Sequence, residues 1–190
     1  MRLTTIVPIA AVVLFSGCSN LNPIPSTRQG GLFIPISTKQ SLQLFPQSTW
    51  EVETKQNAAD TVEVTIKPNN KTFIASITIC YFDYKPNSII PFATEQEIKA
   101  FTFYAASTAA AGSGAKQMEL RKASHKSNYC YYSNNQSTEP QDGFAMILGG
   151  MAAIGNLRLT IGIKYNQPAY EEAYSVIKML LKGAHVSRAA

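Results

Sequence analysis

The sequence contains few of the residues that metal and thiol chemistry require. Its 190 residues include two histidines and three cysteines, and no two of the cysteines form a Cys-x-x-Cys pair. Neither His125 nor His185 has a second ligand at the spacing of a zinc site, so both are predicted to be surface residues. A Gly-x-Ser-x-Gly nucleophile elbow is also missing. We therefore predict no metal, no cofactor and no catalytic residues.

A phosphate loop and a nucleic-acid-binding surface are also not expected. Residues 111–116 (Ala-Gly-Ser-Gly-Ala-Lys) look superficially like a phosphate loop, but a helix is predicted before them and a strand after them. That order is the reverse of a Walker loop, and no Ser or Thr follows Lys116. The net charge of +5 is spread along the chain. Only Arg121, Lys122 and Lys126 cluster, around one predicted turn, which predicts that the protein does not bind nucleic acid.

No apolar stretch is long enough to cross a bilayer as a helix. The longest, Ile6–Phe15, is interrupted only by Pro8, follows the basic residue Arg2 and ends at Ser16-Gly17-Cys18. Ten helical residues rise about 15 Å, half of the roughly 30 Å hydrocarbon core. The pattern therefore predicts that residues 1–17 are a cleaved signal peptide.

The residues Leu14-Phe15-Ser16-Gly17-Cys18 resemble the lipobox of bacterial lipoproteins. The resemblance implies signal-peptide cleavage before Cys18 and a diacylglycerol on its thiol, with further acylation such as palmitate. The sequence departs from the family at Phe15, where leucine is usual. Ser19 implies transport to the outer membrane, so the expected location is its periplasmic face. The alternative is an ordinary secretory signal cut near Gly17 or Ser19, with Cys18 unmodified.

The chain after the cysteine is predicted to be a flexible tether over residues 18–38. It is rich in Asn, Pro, Ser and Gly, which favour turns over regular structure. Twenty flexible residues reach about 25 Å, enough for a domain to work just off the membrane surface. The alternative for Leu32-Phe33-Ile34 is an extra edge strand. Residues 39–188 are predicted to form one globular domain.

The folded part shows mixed strand and helix patterns. A short strand is predicted at Trp50–Val52, and alternating apolar residues at 62–66 followed by the β-branched and aromatic run 73–84 predict a hairpin. Further strands are predicted at 117–123, 128–133, 144–149 and 157–165.

Two amphipathic helices complete this pattern, at about 94–111 and 168–182. Thr94 and Glu97 form a capping box at the start of the first helix. Its inward face is predicted to comprise Ile98, Phe101, Ala105 and Thr108. The second is expected to use Tyr170, Ala173, Tyr174, Ile177 and Leu181. This order of elements predicts a single α+β domain with a mainly antiparallel sheet covered by both helices.

The order of elements, the strand entry Asp142-Gly143-Phe144 and the closing amphipathic helix resemble the PsbP-like fold over roughly residues 40–185. The resemblance is architectural and has no diagnostic motif. It implies a binding or assembly module and does not imply a reaction, since a fold does not determine function.

Cys80 and Cys130 are the cysteines that remain once Cys18 carries lipid. Both lie in predicted strands, and an oxidising periplasm favours disulfides. We predict a Cys80–Cys130 bridge, with two buried free thiols as the alternative.

The segment Gly149–Gly155 is unusual, because it is apolar and glycine-rich where a link between two strands is expected. It is either a buried connection or strand continuation, or a partner-binding patch. We predict that Met151 and Ile154 of this segment bind a partner. The aromatic strand residues Tyr129, Tyr131 and Tyr132 are predicted to join them.

These patterns favour a non-enzymatic, lipid-anchored periplasmic domain that binds or helps assemble another envelope protein. One alternative is an immunity lipoprotein that neutralises a toxin delivered to the periplasm. Another is an envelope hydrolase, which would require a polar pocket holding His125 or His185 beside an acid. The predicted partners are thus the membrane, through lipid on Cys18, and an envelope protein.

Overall fold

The structure is a computed structural model that describes residues 26–28, 31–37, 40–58, 61–81, 94–113, 119–141 and 143–187. The predicted signal peptide, Cys18 and Asp142 lie outside these residues.

Eleven strands and two helices follow one another along the described chain. They are β1 (Ser26–Arg28), β2 (Gly31–Pro35), β3 (Gln40–Leu44), β4 (Trp50–Ala58), β5 (Thr61–Pro68), β6 (Phe73–Tyr81), α1 (Glu95–Ser113), β7 (Leu120–His125), β8 (Asn128–Gln141), β9 (Phe144–Ile154), β10 (Leu157–Tyr165), α2 (Tyr170–Lys182) and β11 (Ala184–Ser187). A short 3-10 turn, Gln167–Ala169, precedes α2 and contains Pro168, the residue at which the second helix was predicted to begin.

The strands form two antiparallel sheets. The large sheet has seven strands in the order β4-β5-β6-β10-β9-β8-β7, and the small sheet has four in the order β1-β2-β3-β11. Every described strand pair is antiparallel. This architecture confirms the predicted α+β class, in which a mainly antiparallel sheet carries two helices.

The main core lies on the face of the large sheet that α2 covers. Strand β10 points its alternate residues Leu157 to Tyr165 into this core, as its period-2 pattern predicts. Helix α2 buries one stripe, formed by Ala173, Val176, Ile177, Met179, Leu180 and Leu181. Apolar residues of the small sheet, including Ile34 and Leu42, belong to the same cluster. The apolar surface of α2 is thus enclosed by both sheets.

Helix α1 lies on the opposite face and packs mainly on β8 and β9 of the large sheet. Its capping box is confirmed. The Thr94 backbone N–H donates to Glu97 Oε2 at 2.6 Å, and the Glu97 N–H donates to Thr94 Oγ1 at 3.2 Å. The small cluster beneath it contains Ile98, Tyr131 and Ala153. Because Tyr131 and Ala153 alternate with main-core residues of β8 and β9, the two helices cover opposite faces.

The predicted inward face of α1 is wrong at three of its four positions. Ile98 is buried, but Phe101, Ala105 and Thr108 are exposed. The helix instead turns Ile98, Thr102 and Ala106 toward the sheet, a spacing of four residues. Thr102 is tolerated there because its hydroxyl donates to the Ile98 carbonyl at 2.7 Å.

The predicted flexible tether over residues 18–38 is also wrong in its second half. Strands β1 and β2 lie within it, and Ile34 and Ile36 are fully buried in the main core. The alternative of a strand through Leu32-Phe33-Ile34 is confirmed, but its predicted edge position is wrong, because β2 pairs with β1 on one side and β3 on the other. The described fold begins at Ser26 rather than residue 39. Strands β3 and β11, which complete the small sheet, were not predicted. Both are short, and a strand of four or five residues shows too few alternations to identify.

The predicted Cys80–Cys130 disulfide is wrong, because both cysteines are free. Strands β10 and β9 separate their strands, so about 14 Å of sheet lies between the two backbones. A disulfide requires Cα atoms within about 7 Å. The two residues also lie on opposite faces, since Cys130 packs in the main core whereas Cys80 alternates with the core residue Ile79.

Candidate functional site

Three of the five residues of the predicted partner-binding patch, Tyr131, Tyr132 and Ile154, are buried, whereas Tyr129 and Met151 are half-buried. Residues Gly149–Ile154 continue β9, and the turn is only Gly155–Asn156, so strand continuation is confirmed and the loop interpretation is wrong. Ile154 and Tyr132 belong to the main core.

The remaining residues of that patch lie on the other face of the sheet, beneath α1. Tyr131 is buried there, and the partly buried Tyr129 and Met151 pack against the same cluster. A pattern of apolar residues indicates that they need cover, but it does not show whether a helix or a partner supplies it.

A polar network attaches the first turn of α1 to this end of the sheet. The Tyr131 hydroxyl donates to Glu95 Oε1 at 2.7 Å, and the Lys122 ammonium contacts the same oxygen. The hydrogen bond from Lys122 is the main reason that the pKa of Glu95 lies below its ordinary value. Lys122 also lies 5.7 Å from the centre of the Tyr131 ring. The carboxylate, the ammonium and the phenol together hold the helix against β7 and β8.

The outer surface of α1 carries an aromatic cluster, formed by Phe101, Phe103 and Tyr104. These side chains are 60%, 54% and 74% exposed. Phe101 and Tyr104 are three residues apart and therefore share one flank of the helix, whereas Phe103 lies on the other flank. Within the part of the chain that the structure describes, Phe45 is the only other large apolar side chain that is exposed. Three of four such side chains thus occur in a single helical turn.

The sequence contained a signal for this aromatic cluster that the periodicity argument missed. At about 100° per residue, Phe103 lies about 160° around the helix from Phe101 (two residues earlier, a rotation of about 200° taken the short way), so Phe101, Phe103 and Tyr104 cannot all face one sheet. At least one aromatic ring of this run must therefore lie away from the sheet.

A small apolar hollow lies between α1 and the sheet. It has a volume of about 160 Å³ and is lined by Thr102, Ala106, Ser133 and Gly149 among others. A Cβ atom placed on Gly149 would meet nothing within 4 Å. Drug-sized ligands occupy cavities of about 300 Å³ or more. The hollow therefore shows loose packing under α1 rather than a ligand site of ordinary size.

The two histidines line one cavity at the end of the large sheet, between the turns at Lys126–Ser127 and Gly155–Asn156. His125 is exposed, as predicted, whereas His185 is half-buried and its Nε2 lies 2.6 Å from Gln40 Oε1. The described residues that line this cavity include no Asp or Glu. The acid that the hydrolase alternative places beside a histidine is not among them.

The basic cluster named from the sequence is largely neutralised by ion pairs. Arg121 pairs with Glu119 at 2.7 Å, and Lys122 pairs with Glu95. Only Lys126 of the three lacks an ion pair within the described ranges. These ion pairs reduce the net positive charge of the cluster.

Two properties of the described residues bear on the class of site. No group of three or more His, Cys, Asp or Glu side chains is placed so that it could hold a metal ion. No helix in these ranges combines the length and the apolar character needed to cross a membrane.

Comparison with known proteins found a structural likeness but no match to a family model or a curated protein. Among solved structures, the chain is similar to the solution structure of cyanobacterial PsbP (CyanoP) from Synechocystis sp. PCC 6803. The TM-score is 0.46 at 11% sequence identity, over 87% of this chain and 99% of that chain. The PsbP-like order of elements noted in the sequence stays a resemblance, because a likeness at this level carries no argument about function.

Proposed function

We propose that this protein is a lipid-anchored, non-enzymatic domain of the bacterial envelope, and that the outer surface of α1 binds another envelope protein. The anchor is the lipid on Cys18, and the domain works from the periplasmic face of the outer membrane. The observation that carries the binding proposal is the exposed aromatic cluster Phe101, Phe103 and Tyr104.

Aromatic side chains favour a protein partner over a small ligand. Exposed aromatic rings contribute large apolar area at a low cost in conformational entropy, and they are enriched at the centres of protein interfaces. On α1 they project from a convex helix, whereas small ligands occupy concave sites. The predicted patch residues Tyr129, Tyr131 and Met151 then have a supporting role, because they form the platform on which α1 rests.

The anchor is tested by metabolic labelling with a fatty-acid analogue. We expect the wild-type chain to incorporate label and Cys18→Ser to incorporate none and to remain unprocessed. Cys130→Ser is the matched control, since its thiol is fully buried and should not accept lipid. Equal labelling of wild type and Cys18→Ser would contradict the lipoprotein proposal.

The binding surface is tested by photo-crosslinking in cells. A photoreactive amino acid placed at position 101 or 104 should give the same adduct with one envelope protein. The same amino acid at position 171, where Glu171 is exposed on α2, should not give it. Adducts of equal yield from both helices would show that α1 is not the binding surface.

The contribution of the aromatic rings is measured with the crosslinked protein in purified form. We expect the double change Phe101→Ser and Tyr104→Ser to weaken binding about 100-fold or more, because single interface aromatics often contribute 2 kcal/mol or more. Phe45→Ser is the matched control, since it removes an exposed but isolated aromatic ring. The Tm should change little in either case, because exposed substitutions usually alter stability by less than about 0.5 kcal/mol. Unchanged affinity in the double variant would contradict the proposal.

A further inference from the structure

The cavity that holds the two histidines is formed where three parts of the fold meet. The turn between β7 and β8, the turn between β9 and β10, and the end of α2 at Leu181–Gly183 enclose about 360 Å³. A neighbouring cavity of about 340 Å³ shares His125, Leu181 and Lys182 with it and extends to Lys178. We refer to the two together as the turn-end cleft.

The turn-end cleft has a cationic lining. Lys126, Lys178 and Lys182 line it, and neither cavity has a carboxylate among its described lining residues. Lys178 pairs with Glu171 at 3.6 Å. Lys126 and Lys182 have no ion pair among the residues that the structure describes. Two unneutralised ammonium groups on one cleft create a positive potential that favours an anion.

The end of α2 does not cancel this potential. A helix C-terminus presents carbonyl groups with a partial negative charge, which would oppose anion binding. Here Asn128 Nδ2 donates to the carbonyl oxygens of Leu181 at 2.9 Å and of Gly183 at 3.0 Å. These hydrogen bonds occupy carbonyls beside the cleft, so the lysines dominate its charge.

The register of the small sheet gives the distance between the turn-end cleft and Ser26, the first described residue. The register of the small sheet places Ser26, Phe33, Gln43 and Ala184 in one row across its four strands. Ala184 lines the cleft, so Ser26 lies about 14 Å from it at the usual strand spacing.

The chain between Cys18 and Ser26 limits how far the cleft can be from an anchored lipid. The eight residue steps between them reach at most about 28 Å when fully extended. Together with the roughly 14 Å across the small sheet, this places the turn-end cleft at most about 42 Å from the lipid on Cys18, a distance that allows the domain to tilt the cleft onto the lipid surface.

We propose that the turn-end cleft binds phosphate groups of anionic phospholipids in the leaflet that holds the anchor, with Lys126 and Lys182 as the contacting residues. This inference rests on the proposed function for the anchor that brings the cleft to the membrane. The lipid on Cys18 and the cleft form two attachment points, which orient the domain on the membrane. Because the diacylglycerol on Cys18 already supplies more than one acyl chain, the cleft mainly adds orientation to an anchor that is firm by itself.

The test uses the chain from Ser19 to Ala190, which contains every described strand and helix and lacks Cys18. Its sedimentation is compared with vesicles of phosphatidylcholine alone and with vesicles of equal parts phosphatidylcholine and phosphatidylglycerol. We expect binding to the anionic vesicles only. Lys126→Gln with Lys182→Gln should weaken that binding about 30-fold, since each basic residue near an anionic surface contributes about 1 kcal/mol.

The matched control is Lys71→Gln with Lys99→Gln, which removes the same charge elsewhere. Lys71 has φ 55° in a turn, as Lys126 has φ 54°, and Lys99 is exposed on a helix, as Lys182 is. We expect the control to weaken binding less than about threefold, because distant exposed charges are screened by salt. The Tm of both variants should match that of the unchanged chain.

Three outcomes would overturn the headgroup proposal. The first is equal weakening in the two double variants, and the second is no preference for anionic vesicles. In the third, inorganic phosphate shifts the NMR signals of Lys126 and Lys182 while anionic vesicles do not bind, which would indicate a soluble phosphate compound. Vesicle binding by this lipid-free chain supports the cleft proposal even if labelling shows that Cys18 carries no lipid, so the two failures are distinguishable.

Discussion

The two helices cover opposite faces of one sheet, and they use their apolar residues in opposite ways. Helix α2 has 13 residues and buries six of them in the main core. Helix α1 is longer, at 19 residues, yet over Glu95–Thr108 its buried residues are Ile98, Thr102 and Ala106. Its largest side chains, Phe101, Phe103 and Tyr104, face outward instead.

The two faces of the sheet therefore differ in what they provide: the α2 face stabilises the fold, and the α1 face leaves apolar side chains exposed. The α2 face is enclosed by a second sheet, so burial there contributes most of the apolar stabilisation of the fold. The α1 face has a small cluster, an unfilled hollow beside Gly149 and a polar network at one end of the helix. We infer that the first face determines the fold and that the second is available for binding. Four predictions test this contrast.

The largest expected difference is between the alkylation rates of the two cysteine thiols, which lie on opposite faces of the large sheet. Burial raises the pKa of the Cys130 thiol to about 12. Since the thiolate is the reactive form, Cys130 in the folded protein should react with iodoacetamide about 1,000-fold more slowly than the half-buried Cys80. Mass spectrometry of the time course measures both rates. Unfolding without reductant should then label both thiols fully. Thiols that stay unlabelled after unfolding would instead support the predicted Cys80–Cys130 disulfide.

A second contrast comes from truncating one apolar residue in each helix. Leu180→Ala should reduce the free energy of unfolding by about 2–5 kcal/mol, because the enclosed α2 core cannot collapse around the cavity. Ile98→Ala should cost about 2 kcal/mol or less, because its small cluster lies beside an open hollow. Urea denaturation measures both values. A larger loss for Ile98→Ala would reverse our ranking of the two faces.

Gly149 and Gly150 are adjacent in β9, so a side chain added at each would point to opposite faces of the sheet. A Cβ at Gly150 would lie 2.4 Å from the Tyr131 carbonyl oxygen, so Gly150→Ala should destabilise by about 1–3 kcal/mol. Gly149 faces the hollow, so Gly149→Ala should stabilise by about 0.4–1 kcal/mol through a less flexible unfolded chain. Thermal melts of the two variants should move in opposite directions. Equal destabilisation would show that no hollow exists under α1.

The smallest expected effect is on the pH dependence of stability, through His185 of the small sheet. Burial lowers the pKa of His185, so the neutral ring is favoured in the folded protein. Stability from this group is complete above the unfolded-state pKa of about 6.5 and is lost as the pH falls through the lower folded-state pKa. His185→Gln should therefore reduce the fall in Tm on acidification, and the exposed His125→Gln should not. An unchanged pH profile in His185→Gln would contradict this assignment.

The sequence determined the elements whose pattern is long and local. Strand β10 alternates over nine residues, and α2 has a continuous apolar stripe, so both were predicted within two residues of their bounds. The Thr94–Glu97 capping box needs only neighbouring residues, and it identified the start of α1. The hairpin of β5 and β6 and the α+β class followed from the same kind of signal.

Only the tertiary structure decided which apolar residues are covered and by what. Residues far apart in sequence, such as Cys80 and Cys130, can be predicted to meet only when the strand order is known, and that order places two strands between them. The small sheet joins segments more than 140 residues apart, as in the pairing of Leu42 with His185. Whether Met151, Tyr129 and the ring of Phe101 face a helix, a hollow or solvent depends on such long-range packing. Periodicity within a segment reports which residues share a face, and it does not report what lies opposite that face.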